Sequence, residues 1–133
     1  EITLEHARIF GKSLREDTSL CEWVGHPEGV NINFIWRNPE GIAVRTFEVG
    51  VENVTLSCGT GSAASAFVAA KVFGISLPVV THSLGGSLKI TDTSGHLSIR
   101  GQTCYQGNVI GFVNGAYPKP IFPIDYRHHQ HYW

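Results

Sequence analysis

From residue 3 onward, the apolar positions Leu4, Ala7, Phe10 and Leu14 recur at spacings of three and four, with polar Lys12, Arg15, Glu16 and Asp17 forming the outer face. The pattern predicts an opening helix capped by Thr3. Cys21, Trp23 and Val24 then lead into a turn at Gly25-His-Pro-Glu-Gly29. Beyond it the period changes to two. Val30, Ile32, Phe34 and Trp36 alternate with Asn31, Asn33 and Ile35, which predicts a strand with one apolar face. Asn38-Pro-Glu-Gly41 is a turn, and Ile42 to Val49 returns as the second strand of a hairpin, with Arg45 and Glu48 on opposite faces.

After a polar turn, Cys58-Gly-Thr-Gly61 opens a run of small residues, with alanines at 63, 64, 66, 69 and 70, that predicts a helix stopped by Gly74. This helix carries scarcely any charge and has no polar face for water, so sheet should wrap it. Leu77 to Ser83 reads as a strand entered through Pro78. Leu88 to Ile90 and Leu97 to Arg100, around a turn at Asp92-Thr-Ser-Gly95, form a second hairpin. Segments 101–107 and 109–113 add short strands. The expected fold is α+β: a short-stranded, mostly antiparallel sheet around a central small-residue helix. It occupies residues 1–116, followed by an irregular tail at 117–133 rich in proline, aromatics and histidine.

A chain of 133 residues, 42% hydrophobic and 16% charged, is one globular domain's worth of sequence. Its formal charge of −1 and lack of a basic block argue against nucleic acid or an anionic membrane as main partner. No apolar run approaches the roughly 20 residues that span a bilayer. The start lacks the basic end and apolar middle of a signal peptide. Cys21, Cys58 and Cys104 cannot all pair with one another, and no two share a metal-ligand spacing. A reduced, cytoplasmic protein without metal or cofactor is the simplest expectation.

Among these residues Cys58 carries the most chemistry. At or just before a helix N-terminus it meets unpaired backbone N–H groups and the positive end of the helix dipole. That setting favours a thiolate and offers donors to an anion such as a carboxylate. The plainer alternative is a small buried hydrophobe with two glycines that permit a tight turn. His26, before a proline in a turn, reads as an exposed loop residue, and His82 as a solvent-facing or turn-capping one. Cys104 reads as structural. The three histidines of the tail can ligate a transition metal, against the simpler account of a peripheral tail.

Several motifs in order resemble the diaminopimelate epimerase family, within the wider group of proline racemases and phenazine-type isomerases. Pro27-Glu-Gly-Val-Asn31-Ile-Asn-Phe34 is similar to its Pro-x-x-x-Asn-Val-x-Phe strand, and Arg45-Thr-Phe-Glu48-Val-Gly50 to its Arg-x-x-Glu-Arg-Gly. Thr55-Leu-Ser-Cys58-Gly-Thr-Gly61 matches Thr-x-x-Cys-Gly-Thr-Gly, Gly85-Gly86-Ser-Leu88 matches Gly-Gly-x-Leu, and Gly95 to Gly101 resembles the last hairpin. The similarity runs over roughly residues 3 to 113, and the order of motifs is more specific than any one of them.

This resemblance implies one half of a diaminopimelate-epimerase-like fold. It also implies cofactor-free inversion at an amino acid α-carbon by two cysteines, in amino-acid and lysine biosynthesis. By position, Cys58 would be one acid/base. The N–H groups of Gly59 and Thr60 would hold the α-carboxylate, Glu48 would meet the α-ammonium, and Asn31 the far end of the substrate. The family's first cysteine and its Asn-Pro-His segment have no match here. The chain therefore resembles the carboxyl-terminal half, its expected partner being an amino-terminal half or a second copy. Val49 stands where the family has an arginine for the distal carboxylate, and Val54 where it has an acidic residue. Two other readings compete: a non-catalytic binding or assembly domain on the same fold, and a proline-racemase-type isomerase. The second is disfavoured because no aspartate precedes Cys58 in Val54-Thr-Leu-Ser57.

Overall fold

A computed structural model describes residues 1–102 and, as backbone strands, 109–113 and 116–122. Thr3 opens helix α1 (Leu4–Arg15), its hydroxyl accepting the His6 N–H at 3.1 Å. Glu5 in the first turn and Lys12 and Arg15 in the last suit the helix dipole. The apolar pattern predicts Phe10 and Leu14 inward, and here it fails. Ala7 and Gly11 are buried, whereas Phe10 and Leu14 are 52% and 39% exposed. The cause is Gly11, where a Cβ would lie 2.5 to 2.9 Å from the Cβ, Cγ and Cδ2 of buried Phe47. Close approach at Gly11 turns the helix so that residues 10 and 14 face out.

Gly11→Ala gains about 1 kcal/mol of helix propensity but overpacks Phe47, typically at about 1–3 kcal/mol. The variant should lose up to about 2 kcal/mol net in urea denaturation. A raised midpoint would show that α1 lifts freely.

Asp17 caps a short second helix, α2 (Thr18–Trp23), its carboxylate accepting the Leu20 N–H at 2.9 Å. Six residues are too few for a period to announce this helix in the sequence. Arg15, expected on the outer face, is instead only 19% exposed and pairs with Glu52 at 2.7 Å.

Strands β1 (Ile32–Asn38) and β2 (Gly41–Glu48) form the expected hairpin, in register from Ile32↔Phe47 to Asn38↔Gly41. Within the expected polar turn, β3 (Asn53–Val54) folds back antiparallel on β2. Helix α3 (Gly59–Phe73) then crosses to β4 (Val79–Ser83), which lies parallel to β2. A parallel step needs such a crossover. Strands β5 (Gly86–Thr93) and β6 (His96–Gly101) complete the order β1-β2-β4-β5-β6, with β3 also on β2. Every pairing in this sheet except β2–β4 is antiparallel.

Period-two alternation gives β2 two buried faces. Phe47 joins Ala7 and Val54 under α1, with Ile32 and Phe34 beside them. Ile42 and Val44 pack against Ala69 of α3. From the other side, Val79, Ile90 and Ile99 of β4, β5 and β6 close on Ala66. Helix α3 thus contacts β1, β2, β4, β5 and β6, as its apolar composition predicts. Phe67, Val68 and Val72 stay exposed on its far side.

Strands β7 (Val109–Val113) and β8 (Ala116–Phe122) form a separate antiparallel ladder. The irregular tail expected from residue 117 is thus a strand as far as Phe122. In a two-stranded ladder each strand is an edge, where Pro118 and Pro120 need no N–H to complete the pairing. Cys104 and the tail histidines, His128, His129 and His131, lie outside the described residues.

Candidate active site

Cys58 is the N-cap of α3, with extended backbone (φ −136°, ψ 113°). Its Sγ accepts the Gly61 N–H at 3.4 Å, and the Thr60 Oγ1 lies 3.5 Å away. The residue is only 7% exposed. The N–H groups of Gly59 and Thr60 occupy the first two helical positions, where no carbonyl of the helix reaches them. Gly74 ends the helix in the left-handed region (φ +64°), as its glycine predicts.

Two braces fix the segment that carries the thiol. The Gly85 N–H donates to the Leu56 carbonyl at 2.6 Å, and a Cβ on Gly85 would meet the Leu56 backbone at about 3.0 Å. On the other side the Thr55 N–H donates to the Thr46 carbonyl at 2.9 Å.

Glu48 ends β2 on the face shared with Val44 and Thr46, the face that α3 covers. Asn31 immediately precedes β1, and its Oδ1 accepts the Val49 N–H at 2.8 Å. Extending the β1–β2 register by one residue sets Asn31 opposite Glu48. Cys58, Gly59 and Thr60 thus open α3, while Asn31 and Glu48 sit opposite each other at the open end of the β1–β2 hairpin.

Two residues that the motifs pass over join these groups. Asn33 and Thr46 are partners in the register, and the Thr46 hydroxyl donates to Asn33 Oδ1 at 2.7 Å. A Cβ on Gly61 would lie 2.5 Å from Asn33 Oδ1, 3.0 Å from Thr46 Oγ1 and 3.2 Å from Cys58 Sγ. The available signal was positional: Asn33 is two residues from Asn31 and Thr46 two from Glu48, hence on the same face.

A cavity of about 300 Å³ is lined by His26, Glu28, Gly29, Val30, Asn31 and Val49. Its His26–Glu28 pair is 3.0 Å apart, and the hydrogen bond to His26 holds the Glu28 carboxyl below the ordinary carboxylate range. A second cavity, of about 570 Å³, is lined by Ser57, Gly85, Gly86, Ser87, Leu88 and Gln102, beside the residue that precedes the thiol. His82 is bound across the β4–β5 pair through Nδ1 to Ser87 Oγ at 2.8 Å. With its side chain 24% exposed, it braces the sheet and does not face solvent as expected.

Among the described residues, no group of three or more His, Cys, Asp or Glu side chains is arranged to hold a metal ion. Nor is any helix among them long and apolar enough to cross a membrane.

No protein-family model matches the sequence. The diaminopimelate epimerase of Methanocella arvoryzae is 41% identical over 85 residues, which is 62% of this chain and 30% of that protein. Its counterpart in Archaeoglobus fulgidus is 52% identical over 92 residues, 64% of this chain and 32% of that one. The chain thus spans about a third of the length of these curated relatives. Among solved structures, a phenazine biosynthesis PhzF-family protein from Enterococcus faecalis superposes with a TM-score of 0.56 at 15% identity, covering 74% of this chain and 33% of that one. A PhzC/PhzF protein from Clostridium difficile gives 0.57 at 12% identity, covering 85% and 38%. At such identities these likenesses show the fold. Over the residues they share, at 41% and 52% identity, this chain is a homologue of the diaminopimelate epimerases.

Proposed function

We propose that the chain is the carboxyl-terminal part of an amino acid epimerase or racemase and supplies one of two cysteine bases. The observation that carries this reading is Cys58 as the N-cap of α3, beside the unpaired N–H groups of Gly59 and Thr60. Removal of an α-proton leaves a carbanion conjugated with the substrate carboxylate. Without a cofactor to accept those electrons, the developing charge needs fixed dipoles. The first turn of α3 offers them at the point where Cys58 can take the proton as thiolate. Glu48 is assigned to the α-ammonium and Asn31 to the distal end of the substrate. A second base on the opposite face, from an amino-terminal half or a second copy, returns a proton and inverts the centre.

Val49 narrows the substrate. An arginine at that position would supply a charge-assisted contact to a distal carboxylate, worth about 2 kcal/mol or more. Beside Asn31, Val49 offers an apolar surface instead. The preferred amino acid therefore lacks a distal carboxylate.

The slight exposure of Cys58 favours one competing reading, a binding or assembly domain that keeps the fold without the chemistry. Exchange of α-protons in deuterated water, followed by NMR over a panel of amino acids including diaminopimelate, separates the two. It is run on the chain alone and with an amino-terminal half added. Exchange in either setting supports the enzyme reading. None in both, with folded protein, selects the binding domain.

A further inference from the structure

On the face of the β1–β2 hairpin that α3 covers, successive cross-strand pairs differ in chemistry. Ile35↔Val44 is apolar and packs with Ala69. The next pair, Asn33↔Thr46, is polar, and Thr46 is only 4% exposed. An apolar pair there would pack the helix as well, with no buried hydroxyl to satisfy. The polar pair stands where the helix brings Gly61 and the thiol. Three atoms, Asn33 Oδ1, Thr46 Oγ1 and Cys58 Sγ, lie within 3.2 Å of the one point that a Gly61 side chain would occupy.

Both partners are amphoteric. A hydroxyl donates and accepts, and an amide presents an oxygen on one side and an NH₂ on the other. With Asn33 Oδ1 toward Thr46, the hydroxyl is the donor, as found. The thiol itself is met by the Gly61 N–H and the Thr60 hydroxyl, so the pair acts on it through the turn that carries Gly61.

We propose that Asn33 and Thr46 are a positioning pair for Cys58, their mutual hydrogen bond holding the first turn of α3 against the hairpin. This rests on Cys58 acting as a proton-transfer base, but its test is independent of substrate. The rate of Cys58 alkylation by iodoacetamide at neutral pH, resolved by peptide mass spectrometry, is compared in the whole chain and in Thr46→Val, Thr46→Ser and Asn33→Ala. Thermal melting of each variant serves as the control.

Thr46→Val keeps the shape and removes the hydroxyl, and should slow alkylation about tenfold, equivalent to roughly 1.4 kcal/mol. Thr46→Ser should restore the rate to within about twofold, and Asn33→Ala should slow it like valine if the hydroxyl acts through the pair. Equal rates in Thr46→Val and the unchanged chain, at equal melting temperature, would make the pair mere packing and overturn the proposal. Slow alkylation in Thr46→Ser as well would also overturn it. Should Thr46→Val fail to fold, the Asn33→Ala rate decides. Absence of α-proton exchange with any amino acid would instead strike at the role of Cys58 itself and leave these rates unaffected.

Discussion

Cys58→Ala is expected to slow amino acid α-proton exchange by roughly 10²–10⁴-fold, the range that a positioned general acid or base contributes. The loss should fall on the rate at saturating substrate more than on binding. Alanine keeps the backbone donors of Gly59 and Thr60 that would hold the α-carboxylate, so only the proton acceptor is gone. Stability is a necessary control, because Cys58 is buried and its Sγ accepts the Gly61 N–H. Losing that weak cap should cost under about 1 kcal/mol, far too little to unfold the chain. Cys21→Ala is the matched comparison. Its thiol is also buried, but it faces the Arg15 carbonyl at 3.4 Å, away from α3, and exchange should be unchanged. Equal exchange in Cys58→Ala and the unchanged chain would remove Cys58 from the chemistry. Equal loss in the Cys21 variant would mean that the effect is one of folding.

The elements that announced themselves in the sequence are those set by local signals. Thr3 and Gly74 are caps whose chemistry acts on their own turns, and the β1–β2 hairpin follows from alternation around Asn38-Pro-Glu-Gly41. Cys58 was legible for the same reason, as a residue before a small-residue helix. The parallel pairing of β4 with β2 was not, because it joins Ile42 to Thr81 through a helix and leaves no periodic trace. Nor was the outward turn of Phe10 and Leu14, which depends on Phe47 lying under Gly11. The Asn33–Thr46 bridge was hidden in a similar way. Each residue alone is an ordinary polar strand position, and only the register and the approach of Gly61 bring the two to the thiol.

Gly61→Ala should damage fold and site together, against the simple expectation that alanine suits a helix better. Propensity alone would stabilise α3 by about 1 kcal/mol. The new Cβ, however, would sit 2.5 Å from Asn33 Oδ1 and 3.0 Å from Thr46 Oγ1. Those atoms are tied to each other at 2.7 Å, and Thr46 is buried, so neither moves without losing its partner. Overpacking of this kind costs about 1–3 kcal/mol, and a buried hydroxyl left unpaired about 1–3 more. Set against the gain in propensity, the net loss should be about 1–5 kcal/mol in denaturant unfolding.

The helix must also shift away from the hairpin, carrying the Gly61 N–H from Cys58 Sγ, so alkylation of the thiol and α-proton exchange should fall with it. A second change locates the cause. Asn33→Ala in the same chain removes the nearest obstructing atom and should return about half of the lost stability, a coupling that residues in contact show and distant ones do not. It should not return thiol reactivity, because the Asn33–Thr46 bridge is gone in both variants. If Gly61→Ala alone proves about 1 kcal/mol more stable, as propensity predicts, then the hairpin yields freely and nothing fixes the turn that carries Cys58.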